Sequence, residues 1–260
     1  MKLQAKGSDF MHIPKIVFEP MSVEANIDLI KWAYFEDNDS LDVHKYTLEY
    51  FPELSEVDSN TSKEEIYELI EKVVRNDYLK YEDRIKNEVE RYNKIWESYN
   101  DNYFTSISKY LNIEWPKSVK VVNGFVGLIP VFPRYLDTFD FCVSTNVDEH
   151  DIIRTCAHEC CHFLWFEKIK ELYPNIPRRE YDSPYNAWQY SEMVVDPILN
   201  SNEIKSVTGV SERAYDSFYI IKDNDGNYLM DVLKDIYNSD ISIEDKVRNG
   251  YNYICSVLEG

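Results

Sequence analysis

The stretch that most limits what this chain can fold into is DEHDIIRTCAHECCHFLWFEKIKELYP, residues 148–174. Asn146 or Asp148 can cap its start and Pro174 follows its end, so the segment reads as one helix. Its middle, TCAHECCHFLWF, is apolar enough for a protein core, yet it holds His158, Glu159 and His162. Buried polar groups are costly without partners. Whatever packs around this helix must therefore supply partners for two imidazoles and a carboxylate.

The 260 residues allow one large domain or two small ones, and a hydrophobic content of 44% with 15% aromatics is that of a globular chain. A formal net charge of -19 repels phosphate backbones and anionic lipid, which argues against nucleic acid and membranes as partners. MKLQAKGSDFMHIPKIVFEP has no apolar run of signal-peptide length, and no run approaches a transmembrane helix. Three of the five cysteines crowd into residues 156–161, whereas a disulfide framework would spread them. A reducing compartment, the cytoplasm, is expected.

Ser62-Lys63-Glu64-Glu65 is a capping box, and Ile66, Leu69, Ile70, Val73 and Val74 behind it follow helical spacing. A second stripe runs from Ile85 through Tyr92 and Trp96 to Tyr103, so residues 62–110 read as mainly helical. IDLIKWAYF, further upstream, needs a neighbour to pack on. At Pro116 the texture changes to VKVVNGFVGLIPVFPRYLDTFDFCVSTN, rich in Val, Phe and Tyr and broken by Asn-Gly, Pro and Asp. That is the pattern of strands and turns. The chain thus divides into a helical region, 1–115, and a region 116–260 of strands followed by helices. In the latter, Ser183 and Pro184 read as N-cap and first residue of a helix over SPYNAWQYSEMVVDPILN. The tail from about 203 reads as helix broken around DNDG. An EF-hand loop there would need acids where Ile221 and Val232 stand, so DNDG reads as a turn.

Residues four apart lie on one face of a helix, so His158 and His162 can bind one metal ion. Glu159 lies about 100° round the helix, within reach of a water on that metal but badly placed to be a ligand. This is HExxH, the pattern in which a zinc ion acidifies its water and the glutamate takes the proton. A chance match would more often fall on a wet helix than in a core. Satisfied core histidines are the bland alternative. Cys156 and Cys160 point away from the histidine face, and Cys161, nearer His158, could be a thiolate ligand or a nucleophile. Small buried cysteines are commonly packing.

A catalytic zinc takes three protein ligands and keeps one open position. Three residues past His162 stands Trp165 and six past stands Lys168, and no histidine follows His162. The third ligand is therefore expected to be a carboxylate. Glu192-Met-Val-Val-Asp196 lies in an apolar helix, where an acid needs a cation. Glu212-Arg-Ala-Tyr-Asp216 reads as the opening of a helix, where the helix dipole already favours an acid. Glu192 is the better candidate.

His158-Glu159-x-x-His162 followed by Glu192-x-x-x-Asp196 resembles the gluzincin branch of zincin-like metallopeptidases, over about residues 119–200. The resemblance implies an α+β, zincin-like fold with a mixed sheet packed on the HExxH helix, between a largely helical N-terminal region and a helical C-terminal part. It also implies that Asp196 bonds the free ring nitrogen of His158, and that an edge strand in FDFCVSTN pairs with extended substrate. The function implied is zinc-dependent hydrolysis of a peptide or protein substrate. His158, His162 and Glu192 would hold Zn2+, and Glu159 would act as general base. A further donor to the oxyanion is expected among the tyrosines, with Tyr185 and Tyr215 as candidates. The alternatives are a zincin-like fold that binds or regulates without proteolysis, and a helical interaction protein in which HExxH is accidental.

Overall fold

The computed structural model describes residues 12–35, 43–58, 60–129, 131 and 133–259; residues 1–11, part of the stretch read above for a leader, lie outside them. In chain order the elements are β1 (Lys15–Pro20), α1 (Val23–Phe35), α2 (Val43–Tyr50), α3 (Lys63–Glu97), α4 (Asn100–Leu111), β2 (Val121–Gly127), β3 (Arg134–Tyr135) and β4 (Asp140–Ser144). Then come α5 (Glu149–Leu172), α6 (Asn186–Leu199), α7 (Asn202–Thr208), α8 (Leu229–Asn238) and α9 (Ile243–Leu258), with short 3₁₀ turns at Pro52–Glu56, Arg178–Tyr181 and Asp216–Ile220. The architecture is α+β: many helices and one four-stranded sheet of order β1-β2-β4-β3. Among the described residues no helix is long and apolar enough to cross a membrane. The described residues gather into two compact units, one within Ile16–Ser98 and Val122–Glu159, the other within 12–15, Tyr99–Val121 and 160–259.

In the first unit, the capping box forms as read. Ser62 Oγ accepts from the Glu65 amide and Glu65 accepts from the Ser62 amide, and the helix they start runs 35 residues. IDLIKWAYF finds its neighbours in α3 and α2, against which α1 packs. β2 and β4 pair in parallel from Asn123↔Asp140 to Gly127↔Ser144, and β3 pairs antiparallel with β4. Asn123-Gly124 makes no turn but lies inside β2. Asn123 donates to Asp140 across the ladder at 2.8 Å, and a Cβ on Gly124 would stand 2.6 Å from the Phe18 ring. That glycine is a close-approach residue, not a turn residue.

FDFCVSTN is likewise not an edge. Its strand, β4, lies between β2 and β3, because Arg134-Tyr135 folds back on it. The Thr138 amide bonds the Tyr135 carbonyl at 3.3 Å and the Cys142 amide bonds the Pro133 carbonyl at 2.9 Å. The join from β4 to α5 is pinned by Tyr92, whose hydroxyl donates to Ser144 O and accepts from the Val147 amide. Burial raises that phenol to about 12, so it stays a neutral donor. Of the two candidate caps, Asp148 does the work, accepting from the Asp151 amide at 2.7 Å; Asn146 instead takes a positive φ of 66°.

In the second unit α6 is the centre, packed on α7, α8, α9 and the Arg178–Tyr181 turn, with every residue from Tyr190 to Leu199 buried. It begins at Asn186, not at Pro184. The Tyr185 amide bonds the Asp182 carbonyl at 3.1 Å, so Ser183 and Pro184 are spent in the turn before the helix. DNDG is a turn: Asp223 accepts from the amides of Asp225 and Asn227, and Gly226 takes φ 86°.

Lys168 is completely buried on α5 and donates to Asn112 O, to Glu171 and, at 2.6 Å, to Glu244 at the start of α9. The Lys168 hydrogen bond, with a second from Asn112, holds the Glu244 carboxyl down at about 2. A depressed carboxyl stabilises the fold above its ordinary range and ceases to do so as pH falls toward the folded value. Wild type is therefore expected to lose stability between about pH 4.5 and pH 2 through this group. Glu244 is 30% exposed, so solvent screening limits the loss to the order of 1–2 kcal/mol. Urea denaturation at pH 7 and at pH 3 checks it: Glu244→Gln should be less stable at pH 7 and should lack this increment of acid sensitivity.

Candidate metal centre

The residues that the HExxH reading selects are carried by α5 and α6. His162 is fully buried, Glu159 is 5% exposed, and His158, a turn before His162, is only half-buried. The His162 ring stacks on Phe166, itself packed on Tyr181, which fixes its orientation. Glu192, 3% exposed, enters from α6 with Oε2 3.6 Å from His162 Nε2. One ligand atom from each of His158, His162 and Glu192 lies within 4.8 Å of the others.

The spacing tests whether zinc fits. Two ligands about 2.1 Å from a tetrahedral zinc lie about 3.4 Å apart. A hydrogen-bonded imidazole and carboxylate would lie nearer 2.8 Å. The 3.6 Å between His162 and Glu192 is the separation of two ligands more than that of a bonded pair. Two nitrogens and one carboxylate oxygen are also the donor set of a catalytic zinc that keeps one open position.

Glu159 follows His158 on the same helix and is met by a cation. Its Oε2 lies 3.8 Å from the Arg134 guanidinium, with the two side chains 6% and 12% exposed. Reading the sequence alone missed Arg134. The signal was there: it is the one arginine in the strand-forming stretch 119–146, behind Pro133.

Asp196, one turn after Glu192, accepts from Asn200 at 2.8 Å, from Lys234 at 2.8 Å and from the Tyr219 hydroxyl. The resemblance assigns Asp196 to the ring of His158, but the partners the structure gives its carboxylate are Asn200, Lys234 and Tyr219. Burial and the Asp196 hydrogen bond push the Tyr219 phenol up, keeping it a donor. Of the two tyrosines considered as oxyanion donors, Tyr185 is the N-cap residue of α6 and 40% exposed. Tyr215 stacks on Trp188 and meets the Phe218 ring at a tilt of 56°.

Glu212 opens no helix. Residues 209–215 are irregular, and the turn that follows starts at Asp216. Asn200 clamps the backbone of Glu212 with two hydrogen bonds, and the Glu212 carboxylate accepts from the Arg213 amide at 2.9 Å. The choice of Glu192 therefore rests on its place beside His162, not on the helix dipole argued from sequence. The cysteines are packed: Cys156, Cys160 and Cys161 are fully buried. Burial and the nearby Glu159 charge push the Cys156 thiol well up, and burial raises Cys142 to about 12, so neither is a thiolate at neutral pH. Asp148, His150 and Asp151 also cluster, but on the surface, where Asp148 caps α5 and Asp151 pairs with Arg154.

No protein-family model, curated protein or solved structure matches the chain.

If His162 and Glu192 are co-ligands, Glu192→Ala should lose metal affinity by more than the roughly 10–100-fold typical of a supporting residue. Glu212→Ala and the double change Cys160→Ala, Cys161→Ala should keep it. Native mass spectrometry of zinc-titrated protein, with circular dichroism for folding, checks this. Metal retained by Glu192→Ala and lost by Glu212→Ala would reverse the assignment.

Proposed function

We propose that the chain is a zinc-dependent peptide hydrolase with a zincin-like site. The observation that carries this is the convergence of ligand atoms of His158 and His162 on α5 and Glu192 on α6 within 4.8 Å, with a second buried carboxylate, Glu159, next to His158 in the chain. Zinc, when bound, supplies a Lewis acid that lowers the pKa of a coordinated water and polarises a carbonyl.

The rest of the chemistry belongs to the chain. The imidazoles of His158 and His162 and the carboxylate of Glu192 set the site's geometry, and the stacking of His162 on Phe166 keeps one ring from turning away. Asp196, itself held by Lys234 and Tyr219, stands one turn from Glu192 and would brace His158. Glu159 accepts the proton of the attacking water and returns it to the amine that leaves. Since Glu159 is almost wholly buried, that proton is shielded from bulk water between the two transfers. The substrate is a peptide or protein, and the acidity of the chain disfavours nucleic acid.

One feature is equally open to the second reading, a zincin-like binding or regulatory protein without proteolysis: the Arg134–Glu159 pair is also what a purely structural ion pair would give. A peptide-library cleavage assay with and without chelator separates the two. Hydrolysis should disappear with chelator and return with zinc. Glu159→Gln should keep zinc and lose about 10²–10⁴-fold in rate, the usual contribution of a general base. A Gln variant within about threefold of wild type would remove Glu159 from the mechanism.

A further inference from the structure

Resting on that proposed reaction, we infer that Arg134 is its oxyanion donor, the group that takes up the charge Glu159 surrenders when it accepts the proton. Four observations lead there. Arg134 Nη1 lies 3.8 Å from Glu159 Oε2, beyond a direct hydrogen bond but in full electrostatic contact. The arginine side chain is 12% exposed, and a guanidinium seldom leaves water without a charge to meet. Its position is built, not incidental. The Arg134↔Phe141 pair and the bond from the Cys142 amide to Pro133 O fix its backbone against β4, and Phe141 is fully buried. Finally, the sequence has no histidine after His162 to serve the carbonyl oxygen.

The charge movement explains why one cation can serve two partners in turn. Before reaction the negative charge sits on Glu159, and the guanidinium faces it. As water attacks, its proton passes to Glu159, its oxygen bonds the carbonyl carbon, and the carbonyl π pair moves onto the carbonyl oxygen. Glu159 is now neutral and the tetrahedral oxyanion carries the charge. Glu159 next gives its proton to the amide nitrogen, the oxyanion pair re-forms the C=O bond, and the C–N bond breaks to leave acid and amine. Arg134 stays protonated throughout, since a guanidinium does not titrate in the working range. Its attraction to Glu159 weakens at the step where its attraction to the oxyanion appears. That is stabilisation specific to the transition state, the kind that raises kcat and not merely affinity. The guanidinium carries five N–H donors, so it can turn toward the carbonyl oxygen without leaving Glu159.

The test is a set of variants at Arg134, each checked for folding and for one bound zinc, and assayed on a peptide that the wild type cleaves. Arg134→Met should lower kcat by about 10²–10³-fold, the usual cost of one oxyanion donor, with KM changed little. Arg134→Lys should keep part of the rate, because the charge remains while the fork of donors is lost. Arg134→Ala should regain rate when guanidinium or methylguanidinium is added, which a purely structural arginine would not allow. Arg134→Met within about threefold of wild type overturns the proposal. So does an equal loss in Lys and Met with no rescue of Ala, as does a loss confined to KM. If Met fails to fold, the Lys variant and the rescue of Ala decide. A wild type that cleaves nothing in the library, with or without zinc, removes the hydrolase reading itself, an outcome distinct from an active wild type with an active Met variant.

Discussion

The burial of charge in two adjacent helices governs the rest of this structure. α5 places Glu159 and His162 in the interior and α6 does the same with Glu192 and Asp196, each no more than 5% exposed. Moving a carboxylate out of water costs several kcal/mol even after relaxation, so the surroundings of these helices must supply cations and donors. α5 also carries a buried charge at Lys168, answered by Glu244, Glu171 and Asn112. Asp196 is answered by Lys234, Tyr219 and Asn200. In those two clusters partners stand at hydrogen-bond distance and the account closes within the protein. Between His162 and Glu192 the separation is 3.6 Å, too long for that and right for two groups that share an ion. The same physics yields clusters closed by hydrogen bonds in two places and, in the third, the pair that the proposed metal site would use.

This contrast also separates what could be read from the sequence from what could not. The helix of His158 and His162 was legible because spacing alone puts both on one face, and because Asp148 and Pro174 mark its ends. Glu192 was legible because an acid on an apolar helix needs a partner. Glu212 was misjudged in its setting: a serine followed by an acid looked like a helix start. That pattern is only local, and the clamp that holds Glu212 comes from Asn200, 12 residues away. Pro184 misled for a similar reason, since its preference for a first helical turn yields to a turn closed by the Tyr185–Asp182 bond.

The sheet shows the limit most plainly. Val, Phe and Tyr in 119–146 announce strands, but not their order. Asn123-Gly124 carries the strongest short turn signal in that stretch, yet it sits in mid-strand because Phe18, over a hundred residues earlier, needs the space a Cβ would fill. The two-residue β3 has too little sequence to show any alternation, so nothing local says that it covers β4. Yet β3 is the element that delivers Arg134. Sequence reasoning sought the oxyanion donor among 21 tyrosines, whereas the inferred donor is an arginine placed by the pairing of β3 with β4.

The charges that would face one another in a loaded site point the same way. The carboxylates of Glu192 and Glu159 would offset the two charges of a zinc ion, and Arg134 would add one positive charge beside Glu159. A site meant only to hold a metal gains nothing from an added cation, which repels the ion it should retain. A site that must accept a negative charge during reaction gains a good deal, because a cation fixed beforehand in a water-poor pocket stabilises that charge without reorganising. The cation lies on the Glu159 side, and the charge to be stabilised is the one that leaves Glu159. Under the proposed reaction Arg134 therefore has a part to play that a site built only to hold a metal would not give it.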